Sequence, residues 1–451
     1  MRGLFLLLFV MINVSFYAQF DAIGYDFTAN TNVLQTNPGA AYPYEKLFGV
    51  PLLNNIRFFA GNSGFALYDV LAPAGSFEQK VQQTISRLSD TDFIQLQYRH
   101  DLFSYGWTDD LERFKYLGIY WELDHITYTP ASFLKLGMYG NAPYINDSFD
   151  MRYLASKTEL VQTLYFGVNK NPNPRLHFGY RFKLYSGLAN AQSVNNSGLF
   201  YTTRGEHNFY VHHLDNIDIK LQTSGYQENA GVNHYIGKLF FSGNYGPGFD
   251  IGVTYQSGQR TILTAALLDL GFIYYTTDIN SRYIKGSYRY EGVNLQFPEQ
   301  SFIDYWQSIK DEFNEKIKNE ESRKNYISWR PAQVYTSVKY GLGDISHQKC
   351  EDFLHPKTVY TNFVGLTGFA QYQPVKIHWG ISGFYERKWS KHLYTKFNMT
   401  ADNFSYYALG GGLVLNLGHL QFSLIADNLL GFSDLAQSRK QAVQFGLNFV
   451  K

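Results

Sequence analysis

Side chains that could carry chemistry are few in this sequence, and their spacing serves it poorly. His212 and His213, with His207 close by, suggest a metal cluster at first sight. Adjacent residues on a strand point to opposite faces, so the pair cannot chelate one ion without a bulge, and no metal is expected. Glu122 and Asp124, with His125 beside them, share one strand face and could form an acid pair. A structural role is the stronger reading. Such carboxylates would pair with cations of neighbouring strands, and Arg99, Arg181 and Lys183 are the candidate partners. No G-x-S-x-G elbow, H-E-x-x-H helix or Walker loop occurs. The one cysteine, Cys350, can make neither an internal disulfide nor a zinc or iron–sulfur cage. The expectation is therefore a protein that is not an enzyme and holds no cofactor.

The elements that carry these residues alternate with period two. In residues 175–186, Leu176, Phe178, Tyr180, Phe182 and Leu184 fall on one face, and His177, Gly179, Arg181 and Lys183 on the other. In 117–124, Leu117, Ile119, Trp121 and Leu123 oppose Gly118, Tyr120, Glu122 and Asp124. Val443, Phe445, Leu447 and Phe449 repeat the pattern, and similar segments sit at 93–103, 159–168, 249–256, 333–340, 376–385, 390–399 and 411–417. Each is close to the roughly 9–11 residues that a tilted strand needs to cross a bilayer.

Composition separates a membrane barrel from a soluble sandwich. Over 451 residues, aromatics make up 18% and charged residues 17%, and the net charge is +1. The charge balance argues against nucleic-acid binding, and the aromatic and glycine content against disorder. Several hundred residues of soluble β-structure would divide at linkers, and none is seen between about 50 and the C-terminus. No apolar run reaches the roughly 18 residues of a membrane helix. The expected fold is all-β: an antiparallel transmembrane β-barrel of about fourteen strands, within a range of about 12–16, with lipid outside and Glu122, Asp124, Arg99, Arg181 and Lys183 facing the lumen.

Connection lengths agree with an up-and-down order. From a first strand near 56–68, short connections fall near 108–112, at 171–174, near 212–215 and at 256–259. Long ones fall near 69–92, 127–155, 189–197, 224–247 and 271–331, and a stretch of intermediate length at 343–357 breaks the alternation. In 301–325, Phe302, Trp306, Ile309, Phe313 and Ile317 recur at helical spacing, with Lys310, Glu312, Glu315, Lys318 and Glu321 opposite. This predicts a helical insertion at about 299–326 in an external loop, packing on itself or facing a partner. A weaker helix is expected at Glu78–Leu88.

The N-terminus reads as a leader. Met1-Arg2 precedes the apolar run Leu4 to Ile12, and Ser15-Phe16-Tyr17-Ala18 offers a cleavage point. The organisation expected is a signal peptide at 1–18, a lead-in or plug at 19–52 and a barrel at 53–451. Residues 31–46 lack strand alternation, so they form either a plug inside the barrel or a periplasmic lead-in.

Four segments carry a family resemblance: Thr36-Asn37-Pro38-Gly39-Ala40, Gly248-Phe249-Asp250-Ile251-Gly252-Val253-Thr254-Tyr255, Leu268-Asp269-Leu270-Gly271-Phe272-Ile273 and Ala426-Asp427-Asn428-Leu429-Leu430-Gly431. Together they resemble a Bacteroidota-type family of outer-membrane barrels of uncharacterised function. That family is itself similar to the long-chain fatty-acid transporter barrels and the type IX secretion shuttle barrels. The first segment resembles an Asn-Pro-Ala plug motif, with Gly39 in place of the usual Ala. The resemblance implies about fourteen strands and an N-terminal plug that uses Asn37, Pro38 and Gly39. By analogy with the transporters, a strand kink at Leu268–Gly271 could open the wall to apolar ligands.

The function expected is an outer-membrane channel, reached through a cleaved signal peptide, that passes a small, hydrophobic molecule. The alternative is a non-transporting accessory or scaffold barrel of a secretion or surface-assembly system. Partners expected are outer-membrane lipid and either a hydrophobic ligand or a secretion component, with no nucleic acid.

Overall fold

The computed structural model describes residues 22–206, 208–226, 238, 242–291, 302–343 and 360–451, with the backbone alone for 302–306. The leader at 1–18, His207 and Cys350 lie outside the described residues.

Fourteen wall strands close into one antiparallel ring. In order they are Lys46–Gly49 continued by Ile56–Asn62, Phe93–Thr108, Phe114–Tyr128, Ser156–Asn173, Leu176–Ser193, Tyr245–Gln256 and Thr261–Tyr275. Tyr326–Trp329 continued by Gln333–Leu342 is the eighth; Asn362–Gln371, His378–Lys388, Leu393–Asp402, Ala408–Leu417, Leu420–Asp427 and Lys440–Val450 complete the ring. The last strand pairs with both pieces of the first, at Leu47↔Val450 and Ile56↔Phe445. Closure gives every described wall strand a neighbour on each side, which is the condition for strands in lipid. Because Leu47 and Phe48 pair on both sides, the wall begins at Lys46 rather than at 53. The first strand stops at Asn62 rather than near 68, since Leu67–Leu71 turns helical.

Alternation sorts the side chains as the period requires. Along the fifth strand, His177, Arg181 and Lys183 are buried toward the lumen, while Phe182 and Leu184 stay half exposed outside. Outward Leu164, Val338, Leu366, Ile381 and Phe397 continue an apolar exterior. The short connections at 109–113, 174–175 and 257–260 lie at one end of the barrel and the long ones before the eighth strand at the other; the connection 343–361 between the eighth and ninth strands falls at the short-connection end, where the alternation breaks.

The long connections build a second sheet. Ser148–Asp150, Ser197–Thr203, Val211–Ser224, Ser281–Tyr290 and Ile317–Ser322 pair antiparallel in that order. Residues 212–215 are therefore not a short turn. They sit inside Val211–Ser224, paired on both sides. The predicted helix over 301–325 is shorter, Phe302–Lys316. Ile317, counted on its apolar face, instead pairs with Gly286 and is buried in the sheet, and Phe313 packs edge-on against Tyr288 with centroids 5.3 Å apart. The weaker helix runs Phe77–Arg87, capped by Ser76, whose hydroxyl accepts the Gln79 N–H at 3.2 Å.

Candidate functional site: a filled lumen and an interrupted wall

Residues 22–40 occupy the lumen and are almost wholly buried. Their backbone carbonyls are held by cations of the wall. Lys396 Nζ donates to the Tyr25 carbonyl at 2.6 Å and Lys339 Nζ to that of Asp26 at 2.7 Å. Arg181 Nη1 donates to Leu34 O at 3.2 Å and Nη2 to Gln35 O at 3.0 Å. Asn37 Oδ1 accepts the Gly39 N–H at 2.9 Å, an Asx turn that fixes the loop. Asn169 Nδ2 donates to the carbonyls of Pro38, at 2.6 Å, and Ala40, at 2.9 Å. Gly39 meets Gly252 of the sixth strand, and the Pro38 carbonyl lies over Gly179 of the fifth. A Cβ on any of these three glycines would collide with the opposing backbone or side chain. That contact explains why this chain carries glycine, not alanine, at position 39.

The predicted lumen residues do line the inside, but they do not pair with one another. Arg99 stands opposite Glu122 in register, yet its Nε donates to Asp101 at 2.9 Å and its guanidinium lies 3.5 Å from the Tyr120 ring centre. Arg181 Nε donates to Asp250 at 2.6 Å. Lys183 reaches Asp250 at 3.0 Å and also pairs with Asp269 at 2.5 Å. Glu122 is taken by Arg330 Nη2 at 2.9 Å, and Asp124 accepts from Gln97 Nε2 at 3.2 Å. Arg330 Nη1 also donates to Glu159 at 2.8 Å. The candidate partners of Glu122 and Asp124 are thus replaced by Arg330 and Gln97. His212 and His213 lie on opposite faces of the second sheet, bonded to Thr202 and Thr203.

The wall is interrupted beside this network. The seventh strand pairs with the eighth from Thr261↔Tyr340 to Leu268↔Gln333, and again from Phe272↔Trp329 to Tyr275↔Tyr326. Between these stretches Asp269-Leu270-Gly271 faces Arg330-Pro331-Ala332. Pro331 has no N–H to give, and the Ala332 carbonyl turns to accept from Tyr372 N at 2.9 Å. The Arg330 N–H still reaches the Gly271 carbonyl at 2.9 Å. On the other side the sixth and seventh strands shift register between Phe249 and Ile251. Asp269 takes φ +57° in this bulge and its N–H donates to Asp250 Oδ1 at 2.7 Å. The kink expected within Leu268–Gly271 is centred on Asp269.

Two cavities meet at the interruption. An apolar groove of about 810 Å³ on the outer face is lined by Phe182, Phe249, Leu270, Phe272, Trp329 and Tyr372, together with Asp269 and Arg330. A smaller cavity of about 170 Å³ on the inner side has a mixed lining, with Asp124, Lys157, Glu159, Gln192 and Gln222 beside Ile126 and Val194. Trp329, Arg330 and Tyr372 line both.

Comparison with known proteins adds the family. The model of the family of unknown function DUF5723 matches residues 38–427. The chain belongs to that family. No curated protein matches this DUF5723 member. Its fold is similar to that of the Pseudomonas putida toluene transporter TodX, at 9% identity and TM-score 0.39, over 93% of this chain and 92% of the other. It is also similar to a Pseudomonas aeruginosa FadL homologue, at 9% identity and TM-score 0.43, over 97% of each chain.

The residues that sequence reasoning missed are Glu159, Asp250, Asp269 and Arg330. Asp250 alternates inward within its own strand, so strand register alone would have placed it against Arg181. Asp269 and Arg330 sit where alternation fails, and period two carries no signal for them.

Proposed function

We propose that this DUF5723 member is a non-enzymatic outer-membrane channel, exported by a cleaved leader, that passes a small apolar molecule between the barrel mouth and the membrane through its wall. The apolar exterior supports the location. Residues 22–40 lie buried inside the barrel, which favours a route through the wall over one along the axis. The observation that carries the reading is the meeting of an apolar outer groove and an inner cavity at the break between the seventh and eighth strands. The test is uptake of an apolar fluorescent dye into vesicles holding the purified protein. Uptake faster than in empty vesicles, slowed by Ala332→Trp in the groove, is expected; equal uptake with and without protein sinks the reading.

A second reading, an accessory barrel of secretion or surface assembly, draws on the five-stranded second sheet at the long-loop end. Kinship with Bacteroidota barrels and type IX shuttles rests on the four motif segments. Recovery of a stoichiometric secretion component with the native protein would favour this reading over transport.

A further inference from the structure

Arg330 is 3% exposed and uses both terminal nitrogens on carboxylates, Glu122 and Glu159. Its buried Nε–H has no hydrogen-bond partner among the described residues. A buried donor left unmade costs most of its desolvation, so such a group marks a place for an acceptor. This one belongs to a residue that lines both cavities, the apolar groove outside and the inner cavity whose lining includes Asp124, Lys157 and Glu159. A single molecule lying across the break would find oily walls at one end and, at the other, the Arg330 side chain, whose buried Nε–H is unmade.

The charge around Arg330 narrows the acceptor. Glu122, Asp124, Glu159 and Asp269 surround it, against Lys157 and Lys183. Lys220 at the inner pocket has its own partner in Asp218, at 3.8 Å. An anionic head brought to Nε would press against Glu122 and Glu159, and like charges repel strongly where water is scarce. An uncharged carbonyl oxygen takes the same N–H without that repulsion. A plain hydrocarbon fills the groove and leaves the donor bare.

We propose that the break is a binding site for a neutral amphiphile, its chain lying in the groove of Phe182, Phe272, Trp329 and Tyr372 and its carbonyl oxygen accepting from Arg330 Nε. This names the cargo class of the channel and rests on that reading for the direction of travel, whereas binding itself does not. Arg330 is then the residue that selects oxygen-bearing cargo over bare hydrocarbon.

The probes are an alkane, a methyl ester and a carboxylate of equal chain length, each brominated at the chain end. Their binding to the full chain in detergent is read by quenching of Trp329 fluorescence, with Trp329→Phe as the control that removes the signal. The ester is expected to bind about tenfold more tightly than the alkane or the carboxylate. Arg330→Lys keeps a cation for Glu122 and Glu159 but lacks Nε, and should bring the ester down to the alkane while leaving the alkane unchanged. Should that variant not fold, the ranking on the unaltered chain decides alone. Equal affinities, a preference for the carboxylate, or no quenching by any probe overturns the proposal. Ester preference without vesicle uptake keeps the site and removes the channel; uptake without ester preference does the reverse.

Discussion

Gly179, Gly252 and Gly39 let two wall strands and the N-terminal segment touch backbone to backbone. Gly179→Ala would drive a methyl into the Pro38 carbonyl, and overpacking of this kind costs about 1–3 kcal/mol. The wall is held by its own ladders, so the strain should appear in the lumen. Limited proteolysis is expected to cut near residues 31–41 in Gly179→Ala while the barrel stays intact; unchanged protection there would mean the segment is not seated on Gly179. The inward placing of Arg181 and Lys183 was legible from their own strand, because period two needs no knowledge of neighbours. Their partners were not. Which carboxylate faces which cation depends on register between strands far apart in sequence, as with Arg181 and Asp250.

Among the elements, the long uniform strands were the most readable, and errors gathered where a second influence enters. Asn362–Gln371 alternates Phe363, Gly365, Thr367 and Phe369 against Val364, Leu366 and Gly368, so apolar residues and glycine stand on both faces and mute the signal. The bulge at Asp269 reverses the phase of the seventh strand: Thr264, Ala266 and Leu268 are buried before it, Ile273 and Tyr275 after it. A break of phase looks like loop when read from sequence. The second sheet carries its own test. The His212 ring lies among Phe200 and Tyr290, its Nδ1 facing the Asn141 amide at 3.1 Å and the Thr202 hydroxyl at 3.0 Å. Burial, and then the nearby His213, hold its pKa below the ordinary value of about 6.5. The unfolded sheet therefore binds the proton first. The stability that neutral His212 contributes is complete above about pH 6.5 and is lost as pH falls toward the depressed value. Amide protection factors along Val211–Ser224 should drop at about pH 5.5 relative to about pH 7.5, and His212→Phe should flatten the change. An equal drop in the variant would place the pH sensitivity elsewhere.

For the molecule as a whole, a closed barrel with an apolar outside and a polar inside followed from alternation and loop lengths, because every strand in lipid needs two neighbours; these left the count at about 14 to 16, and fourteen was what the family resemblance implied. The filling of the lumen did not follow, since residues 22–40 make irregular backbone whose partners are the wall's cations. If the outside faces lipid, Leu366→Lys, in the middle of Asn362–Gln371, should cost about 2–4 kcal/mol in urea unfolding from vesicles. Leu111→Lys, in the exposed short turn, should change it by less than about 0.5 kcal/mol. Similar small effects at both positions would contradict a lipid-facing wall. The central claim, that apolar molecules pass at the break between the seventh and eighth strands, is tested most directly by photolabelling. A diazirine-bearing hydrocarbon is activated on the protein in membranes and its adducts are mapped by mass spectrometry. Adducts concentrated on Phe272, Trp329 and Tyr372 and continuing inward to Gln192 and Gln222, all reduced by Ala332→Trp, are predicted. Labelling spread evenly over outward residues such as Leu366 and Phe397, with none on the inner cavity, would contradict it.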